Sequence, residues 1–429
     1  ADYSIAILSK VLESRLQRLG EIDQPAVIDS NVRYHPLLGL KKVFYIISSV
    51  HNQQDAQALE QITIELNRLK TFGITEGEYN LAKRQLNAEY QNVESWLEGA
   101  ATKDYASFMM YYLSHDLDLE DVHAAVAEAK QMTEVVPIES INSLSSKLFS
   151  DTNPVAYFYH PKQHKPHEAD WQNTYLTAWA AEVEKPIIEE TLLATGQYQF
   201  SGNIKDQYDL RSEEGLYLWV TENGMAVILK PSELEPDRVK MQSIILGGTY
   251  NLPENLIAAS TLWAETRIRS GFGSLSGQNF FDHLDSKGIS YVPFLSYHYG
   301  GAEITGPSTE LEEIFRISAA NLTEESLNDR MFKLVKESQT EEARQFSNTA
   351  QYKLLSEYIP AVYPDDPRIK LSEPHELEGL TLSQMEAVQK NILQNNAGGF
   401  VVIVGDVTPE EVTPFIRDYV AGLPIARAV

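Results

Sequence analysis

Ten histidines are spread along the chain, and three of them share one stretch: His160-Pro161-Lys162-Gln163-His164-Lys165-Pro166-His167-Glu168. Three imidazoles and a carboxylate are a zinc-ligand set by type. Pro161 and Pro166 forbid the regular helix that would put positions four apart on one face, so the stretch reads as a solvated linker. His283 follows Asp282 in an amphipathic helical pattern and reads as a surface or core-edge histidine rather than a ligand. Neither helix-borne zinc motif, His-Glu-x-x-His or His-x-x-Glu-His, occurs in the chain.

Two other stretches invite chemistry. Ser270-Gly271-Phe272-Gly273-Ser274-Leu275-Ser276-Gly277 lacks the third glycine of a dinucleotide loop and follows a helix rather than a strand. It also lacks a serine centred in Gly-x-Ser-x-Gly, so it is no nucleophile elbow; a Gly/Ser helix stop is the reading. The Glu341-Glu342 pair and the acidic run at 308–313 hold candidate general acids or bases, but charge runs on helices are usually solvated faces.

Composition narrows the classes further. With no cysteine among 429 residues, disulfides, thiolate ligands and a cysteine nucleophile are all excluded. Acidic residues number 61 against 35 basic ones, a formal charge of −26. That argues against nucleic acid, where clustered Lys and Arg must neutralise phosphates, and against an anionic membrane surface. No uninterrupted apolar run reaches the roughly 20 residues that span a bilayer. The chain opens Ala1-Asp2-Tyr3, without methionine or a signal-peptide pattern, and the reading expects a fragment of a longer protein.

The elements that must position these residues follow from periodicity. Ile5, Leu8, Leu12, Leu16 and Leu19 share one face of a helix over 1–20. Alternating Val, Ile and Tyr predict strands at 26–34 and 43–51. Leu59, Ile62, Leu66 and Leu69 mark a helix ended by Gly73, and Thr75-x-x-Glu78 is a capping box for the next. The stretch 76–150 reads as helical, broken around Asp116–Asp118 and at Pro137, and Val155–Tyr159 as a short β-type run. Trp171, Tyr175 and Trp179 stand at helical spacing inside a proline-bearing linker, 161–205. Beyond it, strands are predicted at 216–220 and 225–229 around an Asn223-Gly224 turn, then at 239–245, 290–298, 301–306 and 400–404. Helices are predicted at 253–269, 277–287, in pieces over 308–358, at 381–394 and at 409–422.

A faint repeat links the ends of the two halves. "PIESINSLSSKLFSDTNPVAYFYHP" and "TLSQMEAVQKNILQNNAGGFVVIVGD" share a plan of helix, polar turn, apolar strand and turn. The implied organisation is residues 1–160 as the C-terminal part of one α+β domain, 161–205 as a linker containing a helix, and 206–429 as a complete second copy.

The order of these segments resembles the insulinase/pitrilysin family of zinc peptidases. "WVTENGMAVILKP" looks like that family's opening hairpin, "IILGGTYNLPENLIAAST" like its Gly-Gly strand end leading into the metal-site helix, and "FVVIVGDVTPEEVTPFIRDYVAGLP" like its closing strand, turn and helix. "ALEQITIELNRLKTFGITEGEYNLAKRQL" resembles a phrase late in the same domain type. The resemblance implies an α+β fold of repeated insulinase-type domains, each an antiparallel-rich sheet packed by helices. Such domains typically form a two-bowl clamshell around a peptide chamber.

The departure decides the functional expectation. Counting back from Gly271, the metal window is Leu262-Trp263-Ala264-Glu265-Thr266, so only the glutamate of His-x-x-Glu-His remains. In the first half "RLQRLGEIDQPAV" keeps Arg18 but offers Pro25 or Ala26 where the family's substrate-orienting tyrosine falls. The expectation is therefore a chain with no catalytic residue, no metal ligand and no cofactor of its own, zinc belonging to a catalytic domain outside it. It is a noncatalytic part of a peptide-enclosing chamber, or alternatively a stand-alone scaffold or peptide-binding protein of the same fold. The partners implied are the catalytic domain of the same polypeptide and unstructured peptides; the expected compartment is the periplasm, and the 161–205 linker is the expected hinge.

Overall fold

The computed structural model describes residues 3–424 except 23, 38–40, 52, 115–120, 151–153, 160–167, 187–196, 211–214, 365, 367 and 395–398. The chain divides into two compact units, Ala1–Glu190 and Thr191–Val429, and the division falls inside the stretch expected as a linker.

The first unit opens with α1 (Tyr3–Arg18), whose Ile5, Leu8, Leu12 and Leu16 are buried. The strands β1 (Val27–Leu37) and β2 (Lys41–Val50) pair antiparallel. Then come α2 (Asp55–Phe72), α3 (Glu76–Gly99), α4 (Thr102–Ser114), α5 (Val122–Val135) and α6 (Ile138–Leu148), and after them α7 (Glu168–Ala180). Gly73 stops α2 at φ +69°, and a Cβ there would lie 2.2 Å from Asn142 Oδ1. Thr75 and Glu78 form the reciprocal capping box that starts α3. The helix inside the expected linker packs on this unit: Trp171 Nε1 donates to Asp55 Oδ2 at 2.7 Å and Asn67 Nδ2 to the Ala181 carbonyl at 2.9 Å.

One expectation fails here. Residues 154–159 form no strand, so the strand half of the repeat exists only in the second unit. A strand needs neighbours to satisfy its backbone, and no described segment lies beside this one in a ladder.

The second unit is a seven-stranded mixed sheet in the order β3-β4-β5-β9-β6-β8-β7. Its strands are β3 (Ile204–Asp209), β4 (Tyr217–Thr221), β5 (Ala226–Pro231), β6 (Arg238–Leu246), β7 (Ser290–Leu295), β8 (Tyr299–Pro307) and β9 (Phe400–Gly405). Only β5 and β9 run parallel; the other pairings are antiparallel. Its helices are α8 (Ile257–Ser260), α9 (Trp263–Ser270), α10 (Gln278–Ser286), α11 (Leu311–Thr323), α12 (Asp329–Phe346), α13 (Ala350–Val362), α14 (Pro374–Glu378), α15 (Leu382–Gln394) and α16 (Pro409–Tyr419). The period-2 sets Val227 and Leu229, Val239 and Met241, and Val401 and Ile403 are buried in one core with the apolar faces of α11, α15 and α16. This is an α+β fold with an antiparallel-rich sheet packed by helices.

Three local differences from the sequence reading have physical causes. The helix expected over 253–269 is a 3₁₀ turn at Glu254–Leu256, then α8, then α9. Ser260 Oγ and Thr261 Oγ1 bond back to the carbonyls of Ile257 and Ala258, a local competition that weakens and bends a helix. Strand β3 was not expected, because Lys205, Asp206, Gln207 and Asp209 hide its pattern; it is an edge strand, where polar side chains are normal. Residues 200–202, expected as linker, are bound into this unit: Phe200 and Gly202 donate backbone N–H to the Asp418 and Arg417 carbonyls at 2.7 and 2.9 Å.

Candidate functional site

The metal window sits where α8 passes into α9, held by the core beneath it. Leu262 is 1% exposed and Thr266 0%. Trp263 donates from Nε1 to Gln389 Oε1 at 2.6 Å, and Gln389 Nε2 donates to the Glu324 carbonyl at 2.8 Å. Glu265 is part-exposed and accepts from Arg269 Nε at 2.6 Å, one helical turn on. So the two positions where the resemblance places an imidazole pair are core side chains, and Glu265 is engaged in a surface ion pair. Among the described residues no three His, Asp or Glu side chains gather as a metal needs.

Beside the window lies a buried arginine that the sequence reading missed. Arg267 Nη1 donates to the Ser326 carbonyl at 3.1 Å and Nη2 to the Gly271 carbonyl, while its guanidinium lies 4.6 Å from the Phe272 ring centre. Burial pulls its pKa below the ordinary arginine value, against the raising effect of Tyr291, Glu324 and Tyr198. Tyr198 donates to Glu324 Oε2 at 2.7 Å, and burial pushes its phenol up. Burial pushes the Glu324 carboxyl up, but bonds from Ser326 and Tyr198 and the Arg267 charge outweigh this and hold it below the ordinary carboxylate value. The arrangement ties the Gly271 turn to the end of α11. Gly271 caps α9 at φ +60° and Gly277 precedes α10 at φ +55°, so the stretch 270–277 is the helix stop the sequence indicated.

A second buried polar chain runs through α10 and α11. His283 Nε2 lies 2.8 Å from Glu313 Oε1, and Arg316 Nη1 donates to Glu313 Oε2 at 2.6 Å. Arg316 Nη2 and the Tyr419 hydroxyl both donate to Glu312 Oε1, at 2.9 and 2.8 Å. His283 is therefore a core histidine, and Glu313, read as part of a solvated acidic face, is 4% exposed. The sequence offered little signal, since five of the twelve residues Leu311–Leu322 are polar or charged; the charges buried among them are paired, as burial requires. A His–carboxylate pair supplies two of the three members of a nucleophilic triad; no described hydroxyl bonds to His283 Nδ1, and the pair joins α10 to α11.

The remaining candidates divide plainly. Glu341 pairs with Arg344, and Glu342 accepts from Gln339, the helix-face contacts expected of them. Arg18 ends α1, and Ala26 is fully buried with its N–H bonded to Gln61 Oε1 at 3.0 Å. His160, His164 and His167 lie outside the described residues, as does the side chain of Glu168. At the end of β6, Tyr250, Tyr297 and His298 form an aromatic group, in which Tyr297 donates to Asp366 Oδ2 at 2.7 Å.

No protein-family profile and no curated protein sequence matches the chain. Among solved structures it is similar to the ferredoxin protease FusC in complex with Arabidopsis ferredoxin, at 14% identity and a TM-score of 0.55, over 100% of this chain and 48% of FusC. It is similar also to the periplasmic protease PqqL from Escherichia coli, at 14% identity and a TM-score of 0.49, over 99% of this chain and 47% of PqqL. A peptidase M16 inactive domain from Pseudomonas fluorescens matches 50% of this chain at 16% identity and a TM-score of 0.41, over 52% of its own length. The chain thus spans about half the length of the first two. It has the insulinase/pitrilysin fold. Among the described residues no helix is long and apolar enough to cross a membrane.

Proposed function

We propose that this chain is a noncatalytic portion of an insulinase-like zinc metallopeptidase, inactive alone, that forms part of the wall of a peptide-enclosing chamber. The observation that carries the reading is the burial of Leu262 and Thr266 in the core at the two positions of the imidazole pair. Without those ligands there is no zinc-bound water of lowered pKa and no metal-assisted hydrolysis. The similarity over the whole chain to about half of FusC supports a place inside a longer protein.

In this reading zinc is held by a catalytic domain of the same polypeptide, and the substrates are unstructured peptides that enter when the chamber opens. The compartment is the periplasm. The chain's own contribution is to exclude folded proteins. The test pairs this chain with the product of its complete reading frame. Zinc content after dialysis and cleavage of an unstructured peptide are measured on both. Zinc and cleavage in the complete product alone support the reading. Cleavage by this chain overturns it, as does a complete product without zinc.

A further inference from the structure

In the second unit β9 is an inner strand: Val402 faces Ile228 of β5 in parallel register and Gln242 of β6 in antiparallel register. It lies between α15 and α16 in the chain. The first unit repeats that order with α6, residues 154–159 and α7. The spacing agrees to within one residue: α6 ends 12 residues before His160, and α15 ends 11 residues before Gly405. The hairpin β1–β2 likewise repeats β7–β8, each preceded by a helix (α1, α10) and followed by one (α2, α11).

What the first unit lacks among its described residues is the partner strands. In the second unit β6 fills the gap between β8 and β9. In the first, β2 pairs with β1 alone, and no backbone hydrogen bond joins 154–159 to another described residue. Val155, Tyr157 and Tyr159 are 79%, 92% and 106% exposed, a β-branched and aromatic run facing water. Only Phe158 turns inward, its ring stacked on Trp171 of α7 at 3.8 Å. Placing His160-Pro161 on Gly405-Asp406 puts Phe158 at the position of buried Ile403 and Tyr157 at that of Val402. In that register Phe158, the least exposed residue of the segment, falls on the core face.

We propose that Pro154–Tyr159 is an open strand position that takes two β-strands from residues preceding Ala1 in a longer polypeptide. One lies antiparallel between the segment and β2; the other lies parallel on its far side. The inference rests on reading the chain as part of a longer insulinase-type protein. Two observations choose this occupant. The strands that flank β9 precede the helices of their own unit in chain order, so their counterparts belong before α1. The whole of this chain also fits within 48% of FusC. The incoming strands carry one alternating apolar face, as Val227 with Leu229 and Val239 with Met241 do here.

Amide hydrogen exchange read by mass spectrometry tests this on the chain and on the product of its complete reading frame. The peptide covering 154–159 exchanges at the earliest time in this chain and at least about 100-fold more slowly in the complete product, with β9 protected in both. Equal exchange in the two proteins overturns the proposal, as does protection of 154–159 in this chain alone. A reading frame that encodes nothing before Ala1 but a start or an export signal overturns it too. Tyr157→Pro removes one ladder donor. It abolishes the protection and lowers the unfolding midpoint of the complete product while leaving this chain's midpoint unchanged; equal losses in both count against the proposal. Zinc content reports separately: a complete product with 154–159 protected but no zinc overturns the proposed function and leaves this inference standing.

Discussion

His283 Nε2 and Glu313 Oε1 meet at 2.8 Å with their side chains 2% and 4% exposed, joining α10 to α11. Burial pushes the Glu313 carboxyl up. The His283 hydrogen bond and the charges of His283, Arg316 and Lys287 outweigh it, so it sits below its ordinary value of 4.5. A carboxylate depressed in the folded state stabilises it fully above the unfolded value and loses that contribution as pH falls through the folded one. Unfolding of the second unit is therefore expected to become easier below about pH 4.5 in the native chain. Glu313→Gln flattens that acid limb. Urea unfolding from pH 7 to pH 3 on both proteins checks this, and parallel pH profiles would show that Glu313 is not responsible.

Rebuilding the missing motif is expected to fail by packing before it fails by chemistry. Leu262→His combined with Thr266→His places two imidazoles in a closed core. Loss of the buried leucine alone costs about 2–5 kcal/mol, and each unpaired ring adds a desolvation cost. The double variant is expected to unfold at markedly lower urea and to hold well under one zinc per chain after dialysis. Thr266→Val is the opposite case. Thr266 Oγ1 is buried with no hydrogen-bond partner among the described residues, so the isosteric change is neutral or stabilising by up to about 1 kcal/mol. Stoichiometric zinc in the double variant would show that the window still shapes a metal site.

Legibility in the sequence followed how local each signal was. Ile5, Leu8, Leu12 and Leu16 announced α1 because one helix face is written at fixed spacing, and Thr75 with Glu78 announced α3 because a capping box is closed within four residues. Leu262 and Thr266 were readable as departures from a metal site once the segment order was matched. Their burial was not, since the apolar neighbours that cover them, such as those on α15, are far away in the chain. The His283–Glu313 pair joins residues 30 apart, a contact that no local pattern specifies. Residues 154–159 mislead for the converse reason: their alternation is that of a strand, but pairing is supplied by other segments.

In the first unit, Arg15 and Glu78 are expected to be the costliest polar pair to break. Arg15 Nε lies 2.6 Å from Glu78 Oε1, with side-chain exposures of 2% and 5%, and Arg15 Nη2 also donates to the Gly73 carbonyl at 3.0 Å. Glu78 serves twice, since it also closes the capping box on Thr75. Glu78→Ala leaves a buried guanidinium unpaired and uncaps α3, with an expected loss of about 3–5 kcal/mol. Replacing both residues, Arg15→Met with Glu78→Leu, removes the stranded charge and is expected to recover more than half of that loss. The pair of unfolding curves checks this, and a double variant no better than Glu78→Ala would locate the cost in the cap.

Gly202 is expected to be indispensable to the second unit. A Cβ there would lie 2.4 Å from the Ala421 carbonyl carbon and oxygen, a backbone contact that cannot yield by rotating a side chain. The close approach is what lets Gly202 N–H reach the Arg417 carbonyl at 2.9 Å and Phe200 N–H reach that of Asp418 at 2.7 Å. These bonds satisfy carbonyls at the end of α16 that would otherwise be orphaned, and Asn223 Nδ2 does the same for Val420 at 2.9 Å. Gly202→Ala should therefore detach 200–202 from α16 and cost about 2 kcal/mol or more, two lost hydrogen bonds plus strain. Asn223→Ala, which leaves the close approach intact, should cost about 1 kcal/mol. Limited proteolysis separates the two: Gly202→Ala opens a cleavage site near 200 that the native chain and Asn223→Ala lack. Resistance of Gly202→Ala to cleavage there would mean that 200–202 is held by contacts other than α16.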